Sequence, residues 1–204
     1  MPVLYDDPLS GNGYKVRLLM HLLGMPFRYV PVSVVARETR RPAFLAKNPN
    51  GRIPALELDD GQVLSESNAI MVYLAEGTPL WPADRLERAQ TLQWMFFEQY
   101  DHEPRVAVAR FLTLHPETND PRLPELPALR EKARQPLQVM EQHLARAPYF
   151  VGGRFGLADI ALYAYTHVAG EGGISLDAFP AIRAWVRRVA GQPRHQPITW
   201  VPAS

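Results

Sequence analysis

The first third of the chain alternates between short apolar segments and amphipathic stretches. An apolar segment at residues 3–5 is followed, after a loop, by residues 14–23, where large apolar side chains recur at helical spacing. Gly24 supplies a helix stop, and residues 27–32 alternate between large and smaller or polar side chains as a strand does. Because the two strands flank a crossover helix, we expect them to be parallel.

A hairpin and a further helix are predicted next. A short helix over residues 42–47 should end before Pro49. The Asp60-Gly61 pair between two apolar runs is a strong hairpin signal. Ser65 then predicts the N-cap of a helix over residues 67–76. The first 77 residues thus predict an α/β domain with one parallel strand pair and one antiparallel hairpin.

From residue 78 onward the pattern is helical. Asp84 and Glu87 form a capping-box pattern that opens a long helix, which should break or kink at Pro104 because an interior proline costs about 3 kcal/mol. Residues 115–127 are polar and proline-rich, which predicts a loop. Further helices are predicted over 128–146, with a disturbance at Pro136, over 156–169 and over 180–190. We expect an α/β domain at 1–77, a linker at 78–85 and an all-helical domain at 86–204.

Composition excludes several kinds of chemistry. The chain has no cysteine, so a disulfide, a zinc–thiolate site and a cysteine nucleophile are excluded. Its six histidines show no metal-ligand spacing, so no metal site is expected. The net charge is +1, and the one local basic patch, at Arg37, Arg40 and Arg41, is interpreted as a solvated loop; nucleic-acid binding is not expected. No apolar run approaches about 18 residues, and no secretion signal is seen at the start.

One proline occupies an unusual position. The stretch NPNGRIP places Pro54 where a strand begins, and proline cannot donate to a sheet ladder. By itself the motif favours an ordinary trans-proline at a strand start.

Three motifs in the predicted order of elements resemble the cytosolic glutathione transferase family: NPNGRIPAL, SESNAI and GLADIALYAY. The resemblance covers nearly the whole chain and is closest to bacterial, theta-like or nu-like classes with Ser or Asn at the site. It implies a thioredoxin-like domain followed by an all-helical domain, as a cytoplasmic homodimer. Glutathione would be the co-substrate, with no further cofactor, and a small hydrophobic electrophile would be its partner.

The resemblance also implies where glutathione binds. Pro54 would follow a cis bond, leaving the backbone of Ile53 open to pair with the extended tripeptide. Ser67 would bind the γ-glutamyl carboxylate at a helix N-terminus. Glu66 would pair with the α-ammonium group, and Arg52 with the glycyl carboxylate.

The thiol of glutathione must be held as a thiolate. Lowering a pKa of about 8.5 by about two units requires roughly 2.7 kcal/mol, which one charge-assisted hydrogen bond supplies. Ser10 matches the donor of serine-using classes such as theta, and Asn12 matches the donor of a bacterial disulfide-reductase class. The residues alone leave both open, with a slight preference for Ser10. Tyr5 is interpreted as a core residue.

The helical domain carries weaker signals. Tyr100, Arg105 and Phe111 are candidates for the electrophile pocket, although core packing explains them equally well. Three aromatic residues are too dense for one helix face, so some should meet a partner subunit; they are Trp94, Phe96 and Phe97. Gly156 stands where the family has Ser or Thr, with Asp159 three residues on, which concerns folding.

The predicted function is glutathione transfer to a small hydrophobic electrophile. Glutathione-dependent reduction of disulfides or peroxides is one alternative, because it uses the same thiolate without a protein cysteine. A non-catalytic binding protein of the same fold is the other.

Overall fold

A computed structural model describes residues 1–202 of the 204-residue chain. They form two compact units, one made of residues 1–78 and 193–202 and the other of residues 79–192. The predicted order of an α/β part followed by a helical part is confirmed. Positions 203 and 204, which the predicted helical domain included, lie outside the described residues.

The sheet of the first unit has four strands in the order β2-β1-β3-β4. The strands are β1 (Val3–Asp6), β2 (Arg28–Pro31), β3 (Ala55–Glu57) and β4 (Val63–Ser65). β1 pairs with β2 in parallel and with β3 antiparallel, and β3 pairs antiparallel with β4. The predicted parallel pair and hairpin are therefore both present.

Three helices accompany this sheet, namely α1 (Gly11–Leu23), α2 (Pro42–Leu45) and α3 (Ser67–Ala75). Helix α1 ends where predicted, because Gly24 adopts a left-handed conformation with φ 70° and its N–H bonds back to the last turn. Helices α1 and α3 pack against each other. The N-termini of these two helices carry four of the candidate site residues, namely Ser10, Asn12, Glu66 and Ser67.

The last residues of the chain belong to the first unit, which differs from the predicted helical domain at 86–204. Arg17 of α1 donates to the carbonyl of Ile198 (3.0 Å) and to that of Trp200. The Tyr14 hydroxyl lies 3.2 Å from His195 Nε2. These contacts depend on buried polar groups of α1, so hydropathy periodicity gave no sign of them.

The second unit contains six further helices among its described residues. They are α4 (Arg85–Phe97), α5 (Glu103–Leu114), α6 (Leu126–Lys132), α7 (Arg134–Leu144), α8 (Leu157–Thr166) and α9 (Pro180–Ala190). The long helix predicted from Asp84 does change near Pro104, through a π-helical segment at Glu98–His102. The Asp84 side chain accepts from the Glu87 N–H at 2.9 Å. Glu87 itself pairs with Arg154, so only half of the capping box forms.

Helix α8 is the centre of this unit, since all its residues are buried. Trp185 of α9 is fully buried and donates from its indole to Asp159 at 2.8 Å. Among residues 1–202, no helix has the length and apolar character needed to cross a membrane.

Candidate functional site

The loop that precedes β3 is held by its own polar groups. Asn48 is 4% exposed, and its amide donates to the Arg52 carbonyl at 2.7 Å. Its side-chain oxygen accepts from the N–H of Asn50 at 3.2 Å. The Arg40 guanidinium donates to the Asn50 carbonyl at 3.1 Å. Asn48 and one arginine of the predicted solvated patch therefore brace this loop, a role the sequence did not reveal.

The Ile53–Pro54 peptide bond is cis. Pro54 is buried, and the Ile53 side chain packs against a cluster that includes Phe44 and Ala55. In the described part of the chain, the backbone N–H and C=O of Ile53 make no hydrogen bond. The strand ladder begins at Ala55, so the Ile53 backbone is left able to pair with an extended peptide.

The start of α3 differs from its prediction. Ser65 is the last residue of β4, and the N-cap position is taken by Glu66, whose side chain makes no capping hydrogen bond. Ser65 was therefore the wrong cap, because the strand extends one residue further than its apolar run. Glu66 has φ 68° and ψ 109°, and a positive φ is uncommon outside glycine and often found at ligand sites.

Ser67, the first residue of α3, is 5% exposed. Its backbone N–H has no intrahelical partner, as for every residue in the first turn of a helix. A buried hydroxyl and N–H at the positive end of a helix suit a carboxylate. Glu66 beside it is exposed, which suits a cationic ligand group.

Both candidate hydrogen-bond donors to the thiolate, Ser10 and Asn12, lie at the start of α1. Ser10 is the N-cap, and its hydroxyl oxygen accepts from the Gly13 N–H at 3.1 Å. Asn12 lies in the first turn, and its side-chain oxygen accepts from the Ser67 hydroxyl at 3.3 Å. The structure thus brings Asn12 and Ser67 together across the α1–α3 contact, and Ser10 has a capping role.

Lys15 is a residue that the sequence analysis missed. It is fully buried, and its ammonium donates to the Asn12 side-chain oxygen at 2.8 Å. A lysine one turn into a helix usually faces solvent, so no sequence signal pointed to this contact.

A buried ion pair supports the start of α1. Arg17 Nε lies 2.8 Å from Asp6 Oδ2, and both side chains are fully buried. Burial raises the pKa of Asp6 to about 7, while Arg17 acts in the opposite direction. A Cβ atom on Gly13 would lie 1.5 Å from Asp6 Oδ1, so only glycine fits there. The pair and Gly13 together fix the turn that carries Ser10 and Asn12.

Tyr5 is engaged elsewhere. Its hydroxyl donates to Glu57 Oε2 at 2.7 Å, and Lys47 lies 2.6 Å from the same oxygen. The ring packs against the core cluster near Phe44. These contacts agree with the interpretation of Tyr5 as a core residue.

The remaining predicted site residues have few contacts that define a pocket. Arg52 is exposed, with its side chain at the surface of the loop. Tyr100 is 83% exposed, Arg105 is tied to Asp101 of the same helical run, and the Phe111 ring packs on His115. These contacts do not gather Tyr100, Arg105 and Phe111 into one wall, and the electrophile pocket stays a prediction.

Within the part of the chain that the structure describes, no group of three or more His, Asp or Glu side chains is placed to hold an ion.

Comparisons with known proteins agree with this fold. The family model of the glutathione S-transferase N-terminal domain matches residues 9–76 of this chain. The family model of the C-terminal domain matches residues 102–193. A solved glutathione S-transferase from Pseudomonas fluorescens is 50% identical, with a TM-score of 0.92 over 97% of this chain and 98% of that one.

Two curated relatives carry different names. Maleylacetoacetate isomerase from Pseudomonas aeruginosa is 34% identical over 93% of this chain and 92% of its own length. Disulfide-bond oxidoreductase YfcG from Escherichia coli is 31% identical over 93% of this chain and 91% of its own length. The chain therefore belongs to the glutathione S-transferase family, whose members use glutathione as a substrate.

Proposed function

We propose that this protein binds glutathione in its first unit and activates the thiol for transfer to an electrophile. The observation that carries the proposal is the contact between Ser67, at the unpaired N-terminus of α3, and Asn12, at the start of α1. The Ser67 hydroxyl and N–H suit a carboxylate, and the Asn12 amide is an uncharged hydrogen-bond donor. Their closeness fits a ligand that has a carboxylate and a thiol within one short peptide.

Each group of glutathione has a proposed partner. The Ile53 backbone pairs with the cysteinyl residue as an added strand. Ser67 binds the γ-glutamyl carboxylate, Glu66 the α-ammonium group and Arg52 the glycyl carboxylate. The exposure of Glu66 and Arg52 supports this assignment, since both charges are available to a ligand.

We propose Asn12 rather than Ser10 as the principal donor to the thiolate. The Ser10 oxygen accepts from the Gly13 N–H as a helix cap, and this contact does not orient the Ser10 O–H toward a ligand. The Asn12 oxygen is held by Lys15 and Ser67, which directs its N–H groups away from both. This reverses the slight preference for Ser10 that came from the sequence.

Conjugation to a small hydrophobic electrophile is the first candidate reaction. Glutathione-dependent disulfide reduction is the second, because the relative from Escherichia coli is named a disulfide-bond oxidoreductase and this chain has no cysteine of its own. The Pseudomonas aeruginosa relative, which is named an isomerase, adds isomerisation as a third candidate reaction.

A direct test compares three assays on the purified protein. Retention on immobilised glutathione is followed by a chlorodinitrobenzene assay for conjugation and a hydroxyethyl disulfide assay for reduction. Activity in the first supports the transferase and activity in the second supports the reductase. Retention with silence in both assays would favour a binding protein, and lack of retention would refute the proposal.

We also propose a homodimer. Three large side chains of the α4 and π-helical run are exposed, at 65%, 69% and 83%; they are Leu86, Phe96 and Tyr100, which form the proposed interface face. Phe96 is the member of the predicted aromatic cluster that faces outward, while Trp94 packs against Phe150. Light scattering after gel filtration tests this, and a Phe96→Glu variant should be monomeric if the face is the interface.

A further inference from the structure

Lys15 occupies a position that lysine rarely takes. Its side chain has no exposed surface, and its ammonium lies 2.8 Å from the Asn12 side-chain oxygen. A fully buried lysine is costly unless its charge is matched by good hydrogen bonds. This oxygen belongs to the Asn12 amide, which is already proposed as the hydrogen-bond donor to the thiolate.

The contact determines which way the Asn12 amide faces. An asparagine amide has a hydrogen-accepting oxygen on one side and an NH₂ donor on the other. Lys15 and the Ser67 hydroxyl both direct donors at the oxygen. If the amide flipped, its NH₂ group would meet the ammonium, which has no acceptor. The NH₂ group must therefore face away from Lys15.

The charge also changes the strength of the donor. A cation bound to an amide oxygen polarises the amide, and hydrogen bonds in a chain strengthen one another. In a buried site the charge acts through a lower effective dielectric than in water. A thiolate on the NH₂ side of Asn12 is thus stabilised by an oriented amide and by the positive charge behind it.

We propose that Lys15 is a positioning residue for thiol activation, which acts through Asn12 without touching the substrate. This inference rests on the proposed function. Lys15 orients the amide and lowers the pKa of bound glutathione. The other charged groups near this helix start include Asp6, Asp7, Arg17 and the exposed Glu66, and all four are unchanged in the variants below.

The test measures the pKa of the bound thiol by thiolate absorbance in the full-length protein. Lys15→Met, which keeps the length and removes the charge, is expected to raise this pKa by about one unit. Lys15→Arg is expected to restore most of the wild-type value. Affinity for S-methylglutathione, which has no thiol to ionise, is expected to stay within about twofold of wild type.

Different outcomes separate the hypotheses. The inference is overturned if Lys15→Met leaves the thiol pKa unchanged. It is also overturned if the variant loses affinity for glutathione and for S-methylglutathione in parallel, because Lys15 then has only a structural role. If the wild-type protein itself binds no glutathione, or binds it with an ordinary thiol pKa, the proposed function fails instead.

A second variant covers the possibility that Lys15→Met does not fold. Lys15→Gln keeps a hydrogen-bond donor for the Asn12 oxygen but removes the charge. It is expected to raise the thiol pKa by a smaller amount than Lys15→Met, and an unchanged pKa in Lys15→Gln would refute the electrostatic part of the inference. In an Asn12→Ala background, the Lys15→Gln change should have little further effect on the pKa.

Discussion

Two acidic residues at helix starts have opposite environments. Asp159, in the first turn of α8, is 1% exposed and accepts from the N–H groups of Gly156 (3.1 Å) and Phe150 (3.3 Å) and from the Trp185 indole (2.8 Å). Glu66, the N-cap of α3, is exposed, makes no capping hydrogen bond and has a positive φ of 68°.

The difference shows how a carboxylate at a helix start can serve two purposes. Every hydrogen bond of Asp159 closes a connection within its own unit, so its carboxylate holds structure together. Glu66 contributes no such connection, and its unfavourable backbone conformation is the kind found at ligand sites. The same preference of helix N-termini for negative charge underlies both positions, and only the partners distinguish them.

The largest expected effect comes from removing the Asp159 carboxylate. Asp159→Ala leaves buried donors at Gly156, Phe150 and Trp185 without partners, at about 1–3 kcal/mol each. We expect the free energy of unfolding to fall by about 4 kcal/mol in urea titrations. Asp177→Ala, an exposed aspartate in the same unit, should change it by less than about 0.5 kcal/mol. A loss below about 1 kcal/mol in Asp159→Ala would contradict the structural role.

The opposite result is expected at Glu66. Glu66→Gln removes the charge proposed to bind the α-ammonium group, a charge-assisted interaction of about 1.5–3 kcal/mol. Calorimetry should show glutathione affinity reduced by about ten- to hundredfold, with unfolding free energy almost unchanged. Glu131→Gln, another exposed glutamate, is the matched control and should bind as wild type. Equal affinity in both variants would remove Glu66 from the site.

The burial of Asp159 also predicts a pH dependence. Burial raises its pKa from the ordinary 3.8 to about 7, against the opposing effects of the Trp185 and backbone N–H groups. The folded state then binds a proton that the unfolded state has lost, so stability is greatest at low pH and falls as pH rises through this window. We expect a loss on the order of 2 kcal/mol between about pH 5 and pH 7.

Asp159→Asn tests the origin of that slope, because asparagine does not titrate. The variant should show a shallower fall in unfolding free energy over the same pH range. Asp6 retains its own raised pKa in both proteins and supplies the common background. Identical slopes would mean that Asp159 is not the titrating group.

The smallest effect is expected at Ser10. Ser10→Ala removes the cap on α1 and should lower the unfolding free energy by about 1 kcal/mol. The thiol pKa of bound glutathione should change less than in Asn12→Ala, since Ser10 is proposed to act as a cap. If Ser10→Ala gave the larger pKa shift in the thiolate titration, Ser10 and not Asn12 would be the principal donor to the thiolate.

Much of the fold could be predicted from the chain because its signals are local. The alternating segments, the Asp60-Gly61 hairpin and the stops at Gly24 and near Pro104 each depend on neighbouring residues. The N-cap at Asp84 was found from the same kind of pattern. The error at Ser65 was also local, since a strand that is one residue longer moves the cap to Glu66.

The candidate site was predictable only in part. The motifs pointed to Pro54, Ser67 and Asn12, but not to the side chains that hold them. Asn48 braces its loop through a buried amide and Lys15 holds Asn12 through a buried ammonium. Polar residue types of this kind are usually exposed, so their burial has no periodic signal.

Sequence by itself determined the order of elements, the two-part architecture and the absence of cysteine chemistry, since periodicity, turn residues and composition act locally or on the whole chain. Only the tertiary structure decided that residues 193–202 join the first unit, that Asp159 turns inward and that Glu66 stays exposed. Those outcomes depend on which donors and acceptors form hydrogen bonds across long sequence separations. A local sequence pattern carries no information about such long-range contacts.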